Sequence, residues 1–180
     1  QLHDVEVGFE SDGRVVALSD DFTMDVGTHN FFGPILGYNT ISHLPGEYDI
    51  ENYRARCRAA VTNKTPVSPV RGAGRLEAAF VMDRIMDMIA RQIDKDPADV
   101  RRVNLVPADR MPYSVGIPYR DGRPYVYDSG NFPDQLETAL AAFDPATTRS
   151  VLRAQARTHE RVGIGIGSYT EASGYGPFEG

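Results

Sequence analysis

The sequence predicts a mixed α+β protein in which a β-hairpin and a third strand precede a long apolar helix. Residues 3–9 alternate apolar and polar side chains, residues 11–14 form a turn, and residues 15–26 form the returning strand. Residues 53–61 alternate in the same way. Residues 75–94 instead repeat apolar side chains at the spacing of an amphipathic helix. These segments together predict the fold class.

The chain around the third strand is less regular. Residues 31–44 are apolar with glycines and a proline, which predicts a short helix, and the Pro45-Gly46 pair then forces a turn. We interpret the polar face of the third strand as a solvent-exposed face, since rows of charged residues usually face water. The charged residues of that face are Arg54, Arg56 and Arg58.

The helix predicted at 75–94 has only a narrow polar stripe, so we expect other elements to enclose most of it, with its methionines in the core. Asp96 and Pro97 are typical of the start of a second helix, which runs to about Leu105.

The second half of the sequence is harder to assign. Residues 107–130 are rich in proline, glycine and tyrosine, and are predicted to form an irregular connection. Residues 131–143 and 145–161 are predicted helices. Residues 162–169, with alternating glycines, are predicted to form a buried strand of small residues.

Composition excludes several classes of protein. The net charge of −6, with no basic stripe, argues against non-specific nucleic-acid binding. Cys57 is the single cysteine, which excludes a disulfide framework and a cysteine-built metal site within the chain. No apolar run approaches the roughly 20 residues of a membrane helix. No signal peptide opens the sequence, so we expect a cytoplasmic protein; a periplasmic one remains open because Gln1 does not look like a natural start.

The loop at residues 71–75 is the most informative segment. Glycines placed directly before a helix let the backbone approach a ligand closely, and the first-turn N–H groups and the helix dipole then favour an anion. The arginines at both ends of the loop add positive charge and paired donors. The sequence therefore predicts that an anion or an oxidised heterocycle is bound at the start of this helix.

Other patterns have simpler explanations. The alternating glycines at 163–167 do not have the spacing of a dinucleotide-binding loop. The acidic residues Asp20, Asp21 and Asp25 are interpreted as the rim of a hairpin rather than a metal site. Ser168 has no nearby histidine in the sequence that would support a hydrolase triad.

Several short segments, taken in order, resemble a known family. They lie at residues 3–7, 44–48, 62–63, 71–78, 99–105 and 163–179. In combination they are similar to the molybdenum-cofactor-binding large subunit of the xanthine dehydrogenase, aldehyde oxidase and carbon monoxide dehydrogenase family. The resemblance covers nearly the whole chain. Together with the abrupt ends, it leads us to expect a piece of a larger catalytic subunit.

This resemblance implies a molybdenum hydroxylase that oxidises an aldehyde or an N-heterocycle with oxygen derived from water. It implies molybdopterin as the cofactor, and [2Fe–2S] and FAD groups on partner subunits or domains that accept the electrons. The other expected partners are the rest of the large subunit and a small-molecule substrate. The catalytic base is expected outside this chain, which should be inactive alone. The alternative is a stand-alone anion-binding α+β module without redox activity.

The resemblance also assigns residues and domains. Asn39 stands where xanthine-oxidising members carry an arginine, Ala73 where they carry an aromatic residue, and Gly72 where carbon monoxide oxidisers carry a cysteine. The cofactor contacts are expected at Arg71, Gly72, Ala73 and Gly74. The substrate pocket is expected at Asn39, Ala73 and Ile166, and no metal ligand is assigned. Residues 1–106 would end the first cofactor-binding half, 107–130 would connect, and 131–180 would begin the second half.

Overall fold

The computed structural model describes residues 1–28, 30, 32–119, 122–155 and 163–171, and confirms the α+β class. The strands are β1 (Leu2–Phe9), β2 (Val15–Gly27), β3 (Asn52–Val61), β4 (Tyr113–Pro118) and β5 (Pro124–Tyr127). The helices are α1 (Gly33–His43), α2 (Arg75–Gln92), α3 (Pro97–Asn104), α4 (Phe132–Phe143) and α5 (Pro145–Gln155).

The first three strands form one sheet in the order β1-β2-β3. β1 and β2 are the predicted antiparallel hairpin, whereas β3 pairs with β2 in parallel. A parallel pair needs a crossover connection, and α1 lies in it. This crossover places the end of α1 beside the loop that follows β3.

The main core lies between the sheet and α2. One face of α2 is buried there, but the opposite face is not: Leu76, Phe80 and Met88 are 59%, 68% and 60% exposed. The prediction that other elements enclose most of this helix is therefore wrong for the part of the chain that the structure describes. The buried residues of α2 are Ala78, Val81, Met82, Ile85, Met86, Ile89 and Ala90.

The predicted second helix, α3, is confirmed, and it is tied to the hairpin by Asn104. The Asp96 carboxylate caps α3 by accepting a hydrogen bond from the Ala98 N–H at 2.9 Å. At the other end, the buried Asn104 Oδ1 accepts from the Val15 N–H at 2.8 Å, and its amide nitrogen donates to the Gly13 carbonyl at 2.9 Å. The turn between β1 and β2 is thereby attached to α3.

The irregular connection predicted at 107–130 is wrong in part, because it contains the antiparallel hairpin of β4 and β5. Two tyrosine hydroxyls dock this hairpin region onto α1 and the turn after it. Tyr38 donates to the Pro118 carbonyl at 2.9 Å, and Tyr127 donates to the Gly46 carbonyl at 2.5 Å. Clustered aromatic rings, rather than apolar alternation, give these short strands their packing.

The last segments agree with the sequence only partly. α4 and α5 are confirmed as far as residue 155, and residues 156–162 lie outside the described ranges. The buried strand predicted at 162–169 is wrong for residues 163–169, which pair with no strand of the described chain and are half-buried or exposed. This segment lies beside α2 instead, where the Ser168 N–H donates to the Asp83 carboxylate at 3.3 Å.

Candidate cofactor-binding loop

The loop before α2 has an unusual backbone. Gly72, Ala73 and Gly74 all have positive φ angles, of 101°, 44° and 94°. Glycine adopts this left-handed region at little cost, whereas Ala73 does so at a steric cost. Two backbone hydrogen bonds close the loop, from the Ala73 N–H to the Val70 carbonyl at 2.8 Å and from the Arg75 N–H to the Gly72 carbonyl at 3.1 Å. The chain therefore turns sharply into the helix.

Gly74 must be glycine for a second reason. A Cβ at this position would lie 2.3 Å from the Leu36 carbonyl oxygen and 3.1 Å from the Thr40 hydroxyl oxygen. Both belong to α1, so the loop and α1 touch through bare backbone. The sequence signal, glycine before a helix, thus has a specific cause here: close packing of the loop on a neighbouring helix.

Two buried side chains of α1 hold the loop from behind. Asn39, 2% exposed, donates its amide N–H to the Ala73 carbonyl at 2.8 Å. The Thr40 hydroxyl lies 3.0 Å from the Gly74 carbonyl oxygen and 3.1 Å from that of Leu36, and its one hydrogen is donated to one of them. The carbonyl groups of Ala73 and Gly74 therefore face α1. The opposite side of the loop faces outward.

A histidine that the sequence analysis did not single out completes this anchor. The Arg75 Nε–H donates to His43 Nε2 at 2.9 Å, and since a guanidinium only donates, Nε2 must be the unprotonated nitrogen. The proton of His43 is then on Nδ1, which donates to the Asn39 carbonyl at 2.9 Å. Arg75 also pairs with Glu171 at 3.1 Å. The available signal was that His43 follows Asn39 by one helical turn.

The outward side of the loop fits a polar, anionic group. Gly74 is the N-cap residue of α2, and no side chain caps this helix, so its first-turn N–H groups and the positive end of its dipole are not used by a capping side chain. Arg71 and the residues from 64 onward that lead to it are exposed. A phosphate or a polar heterocycle can therefore meet both the backbone donors and a guanidinium group.

The structure groups the predicted site residues only in part. Arg71, Gly72, Ala73 and Gly74 form one loop, and Asn39 is in contact with it. Ile166 lies elsewhere, where its carbonyl accepts a hydrogen bond from Arg101 of α3 at 3.0 Å. Asn39 faces the back of the loop, so its amide acts on Ala73 rather than on the outward side.

The acidic residues of the hairpin serve the sheet and its exit loop. Burial raises the pKa of Asp20, which lies 2.8 Å from His3 Nδ1. The Arg56 guanidinium lowers the pKa of Asp21, and a hydrogen bond from Lys64 lowers the pKa of Asp25 to about 2. Across the described ranges, no three His, Cys, Asp or Glu side chains form a group that could hold a metal. None of the helices described is long and apolar enough to cross a membrane.

Comparison with known proteins gives consistent matches. Residues 1–105 match the sequence profile of the molybdopterin cofactor-binding domain family. Over 99% of its length the chain is 31% identical to the 6-hydroxypseudooxynicotine dehydrogenase complex subunit gamma of Paenarthrobacter nicotinovorans, of which it covers 22%. Over 97% of its length it is 27% identical to the carbon monoxide dehydrogenase large chain of Hydrogenophaga pseudoflava, of which it covers 22%.

The fold is also found in a solved structure. Quinoline 2-oxidoreductase from Pseudomonas putida 86 superimposes with a TM-score of 0.71 and 22% sequence identity, over 84% of this chain and 19% of that one. The chain spans about a fifth of the length of the curated relatives it matches.

Proposed function

The chain belongs to the molybdopterin cofactor-binding domain family, and from this premise we propose that it is part of the catalytic subunit of a molybdenum hydroxylase. The observation that carries the proposal is the uncapped start of α2, which follows three left-handed residues anchored from behind by α1. The molybdenum cofactor fits this loop, since its phosphate and pterin groups need N–H donors and positive charge.

Each residue of the loop has a separate task in this proposal. Arg71 binds the cofactor through its guanidinium, and Gly72 and Gly74 let the backbone approach it closely. Ala73 makes the sharp turn of the loop, and its side chain packs against the apolar cluster of Met24, Val26 and Leu36. Asn39 acts on this arrangement indirectly, by fixing the Ala73 carbonyl. These hydrogen bonds attach the loop to α1.

When bound, the cofactor supplies the two-electron oxidation of a substrate carbon. We propose an aldehyde or an N-heterocycle as substrate. Gly72 offers no thiol of the kind that the resemblance associates with carbon monoxide oxidation. Asn39 is neutral and buried, so it supplies no charge for a purine ring. Ala73 leaves room beside the cofactor for a ring or a short chain.

The remaining machinery is proposed to lie outside this chain. It comprises the catalytic base and, on partner subunits or domains, the [2Fe–2S] and FAD groups that carry the electrons away. The chain alone is then inactive. We also propose that residues 1–106 end the first cofactor-binding half and residues 131–180 begin the second, with the β4–β5 hairpin in the connection between them.

The test is the Arg71→Ala variant of the full-length protein, compared with Arg91→Ala. Both arginines are exposed; Arg71 lies in the loop before α2 and Arg91 lies in its last turn. Loss of a hydrogen bond to a charged group should weaken cofactor retention roughly tenfold or more, so Arg71→Ala should lose molybdenum and pterin. Metal analysis by mass spectrometry and pterin fluorescence after oxidation measure both.

Arg91→Ala should keep the molybdenum and pterin content of the unmodified protein. Equal contents in Arg71→Ala and Arg91→Ala would overturn the assignment of Arg71. A folded full-length protein without molybdenum or pterin, prepared from cells that supply both, would overturn the proposed function itself.

A further inference from the structure

A cavity of about 320 Å³ opens between the end of α3, α4 and the segment at 166–169, away from the cofactor loop. Its lining is both polar and apolar, and it includes Glu47 and Arg101. The apolar side chains of the wall are those of Leu105, Phe132, Leu136, Ala139 and Ile166.

Glu47 is the unusual group of this cavity. It lies in the turn between α1 and β3 and is only 3% exposed. Neither carboxyl oxygen has a hydrogen-bond partner among the residues that the structure describes. Burial raises the pKa of Glu47 to about 7. An ionised carboxyl group in such a place is costly unless an opposite charge or a donor meets it.

Arg101 attracts the Glu47 carboxylate electrostatically but forms no hydrogen bond with it, and its own Nε–H has no partner among the described residues. It is 1% exposed and is already paired with Asp83 at 2.9 Å and Asp87 at 3.1 Å, both on α2. A third hydrogen bond goes to the Ile166 carbonyl. The two aspartates already outweigh the single arginine, and Glu47 adds to the excess of negative charge.

The backbone around Glu47 keeps it in place. The Val106 N–H donates to the Glu47 carbonyl at 2.9 Å, and the Asp49 N–H donates to the Asn104 carbonyl at 2.7 Å. These bonds join the turn to the end of α3 and fix the backbone of Glu47 at the cavity, whose lining includes this residue.

We propose that this cavity binds a cationic nitrogen group, an ammonium or a guanidinium, that pairs with the Glu47 carboxylate. The apolar part of such a ligand packs on Leu136 and Ile166, and the ring of Phe132 offers a face to the cation. Ile166, which the resemblance places in a substrate pocket, lines this cavity, but Asn39 and the loop at residues 71–74 do not, so the proposal does not depend on the proposed function. The cation is either a free organic amine or a lysine or arginine side chain from elsewhere in the whole protein.

The experiment measures binding of n-butylammonium chloride to the full-length protein by calorimetry, with 1-butanol as the neutral analogue. Glu47→Gln keeps the size of the side chain and removes the charge, and Glu51→Gln makes the same change at an exposed position four residues on. We expect Glu47→Gln to weaken butylammonium binding roughly tenfold or more and Glu51→Gln to leave it unchanged. Butanol should bind all three proteins weakly and equally.

The pH dependence provides a second readout. The charged and titratable groups near Glu47 are Asp83, Arg101 and Tyr48. Because the pKa of Glu47 is raised to about 7, its carboxylate forms as pH rises from 6 to 8, and butylammonium binding should tighten over that range. In Glu47→Gln this tightening should disappear.

A second arm separates the two sources of the cation. If a side chain of the whole protein fills the site, butylammonium will not bind, Glu47→Gln will lower the melting temperature at pH 8 more than Glu51→Gln, and a crystal structure will show a lysine or arginine nitrogen within about 3.2 Å of Glu47. Equal butylammonium binding in both variants overturns the proposal. So does a crystal structure in which only water or neutral groups meet Glu47 and no amine binds. Unchanged molybdenum content in Glu47→Gln shows that the variant is folded.

Discussion

Gly74 shows how one residue joins the loop before α2 to the neighbouring helix α1. Two demands meet there: a positive φ angle and a Cβ position filled by the Leu36 carbonyl oxygen. The first demand is common in turns, but the second leaves no room for any side chain. The two demands can be separated by experiment.

We predict that Gly74→Ala damages the loop much more than Gly116→Ala does. Gly116 also has a positive φ, of 84°, but a Cβ there would meet nothing within 4 Å. Both variants carry the backbone cost of about 1–2 kcal/mol, and Gly74→Ala adds an overpacking cost of about 1–3 kcal/mol. The melting temperature and the pterin content of the full-length protein should both be lower in Gly74→Ala than in Gly116→Ala. Equal losses in the two variants would show that φ alone matters.

The conformation of the loop at 71–74 was predictable because glycines before a helix have a short-range physical meaning, whereas its role in cofactor binding stays a prediction. Asn39 was expected in a substrate pocket, but its partner is the Ala73 carbonyl, 34 residues away, and no sequence pattern announces such a contact. His43 was missed for the same reason. Ile166 was grouped with Asn39, whereas the fold places it at Arg101.

At the scale of elements, α3 connects the β1–β2 hairpin to α2. Its final residue, Asn104, uses both ends of its amide on the β1–β2 turn, and Arg101, one turn earlier, is paired with two carboxylates of α2. The motif at 99–105 that carries part of the family resemblance is thus a structural motif. Its polar residues are buried to join elements.

We predict that Asn104→Ala destabilises the full-length protein by about 2–4 kcal/mol, because it leaves the Val15 N–H and the Gly13 carbonyl buried without partners. Asn52→Ala is the control: Asn52 also donates to a backbone carbonyl, that of Val16 at 2.9 Å, but at an exposed site. Its effect should stay within about 0.5 kcal/mol. Shifts in the melting temperature measure the effects of both substitutions. Similar shifts in Asn104→Ala and Asn52→Ala would contradict the proposed role of Asn104 in connecting α3 to the hairpin.

Element prediction succeeded where periodicity reflects burial on one side. The β1–β2 hairpin, β3 and the helices up to residue 155 follow their patterns. The pattern could not show that β3 pairs in parallel, because pairing depends on the crossover through α1. The segment at 163–169 has the alternation of a strand, but it lies beside α2 and α3 instead of at an open edge of the β1-β2-β3 sheet, so it pairs with no described strand.

At the scale of the whole molecule, the outer face of α2 is the notable feature. Leu76, Phe80 and Met88 expose large apolar side chains along one stripe. The family match over residues 1–105 confirms the resemblance drawn from short motifs, and the chain spans about a fifth of its curated relatives. We therefore expect further sequence of the full-length protein to cover this stripe. The same apolar pattern predicts an enclosed helix.

We predict that Phe80→Asp lowers the stability of the full-length protein by about 2–4 kcal/mol, since a covered position would lose apolar burial and bury a charge. Ser11→Asp, at an exposed position in the turn between β1 and β2, introduces the same carboxylate away from the stripe. It should destabilise the protein much less. Melting temperatures and the yield of assembled protein measure the difference. A Phe80→Asp variant as stable as Ser11→Asp would mean that the stripe faces solvent.

The anchoring of the loop before α2 also makes its outline depend on sequence far from it. The bonds that hold the loop come from Asn39 and Thr40 of α1, each 34 residues from the carbonyl group that it holds. A substitution in α1 that touches no ligand would therefore still shift the loop.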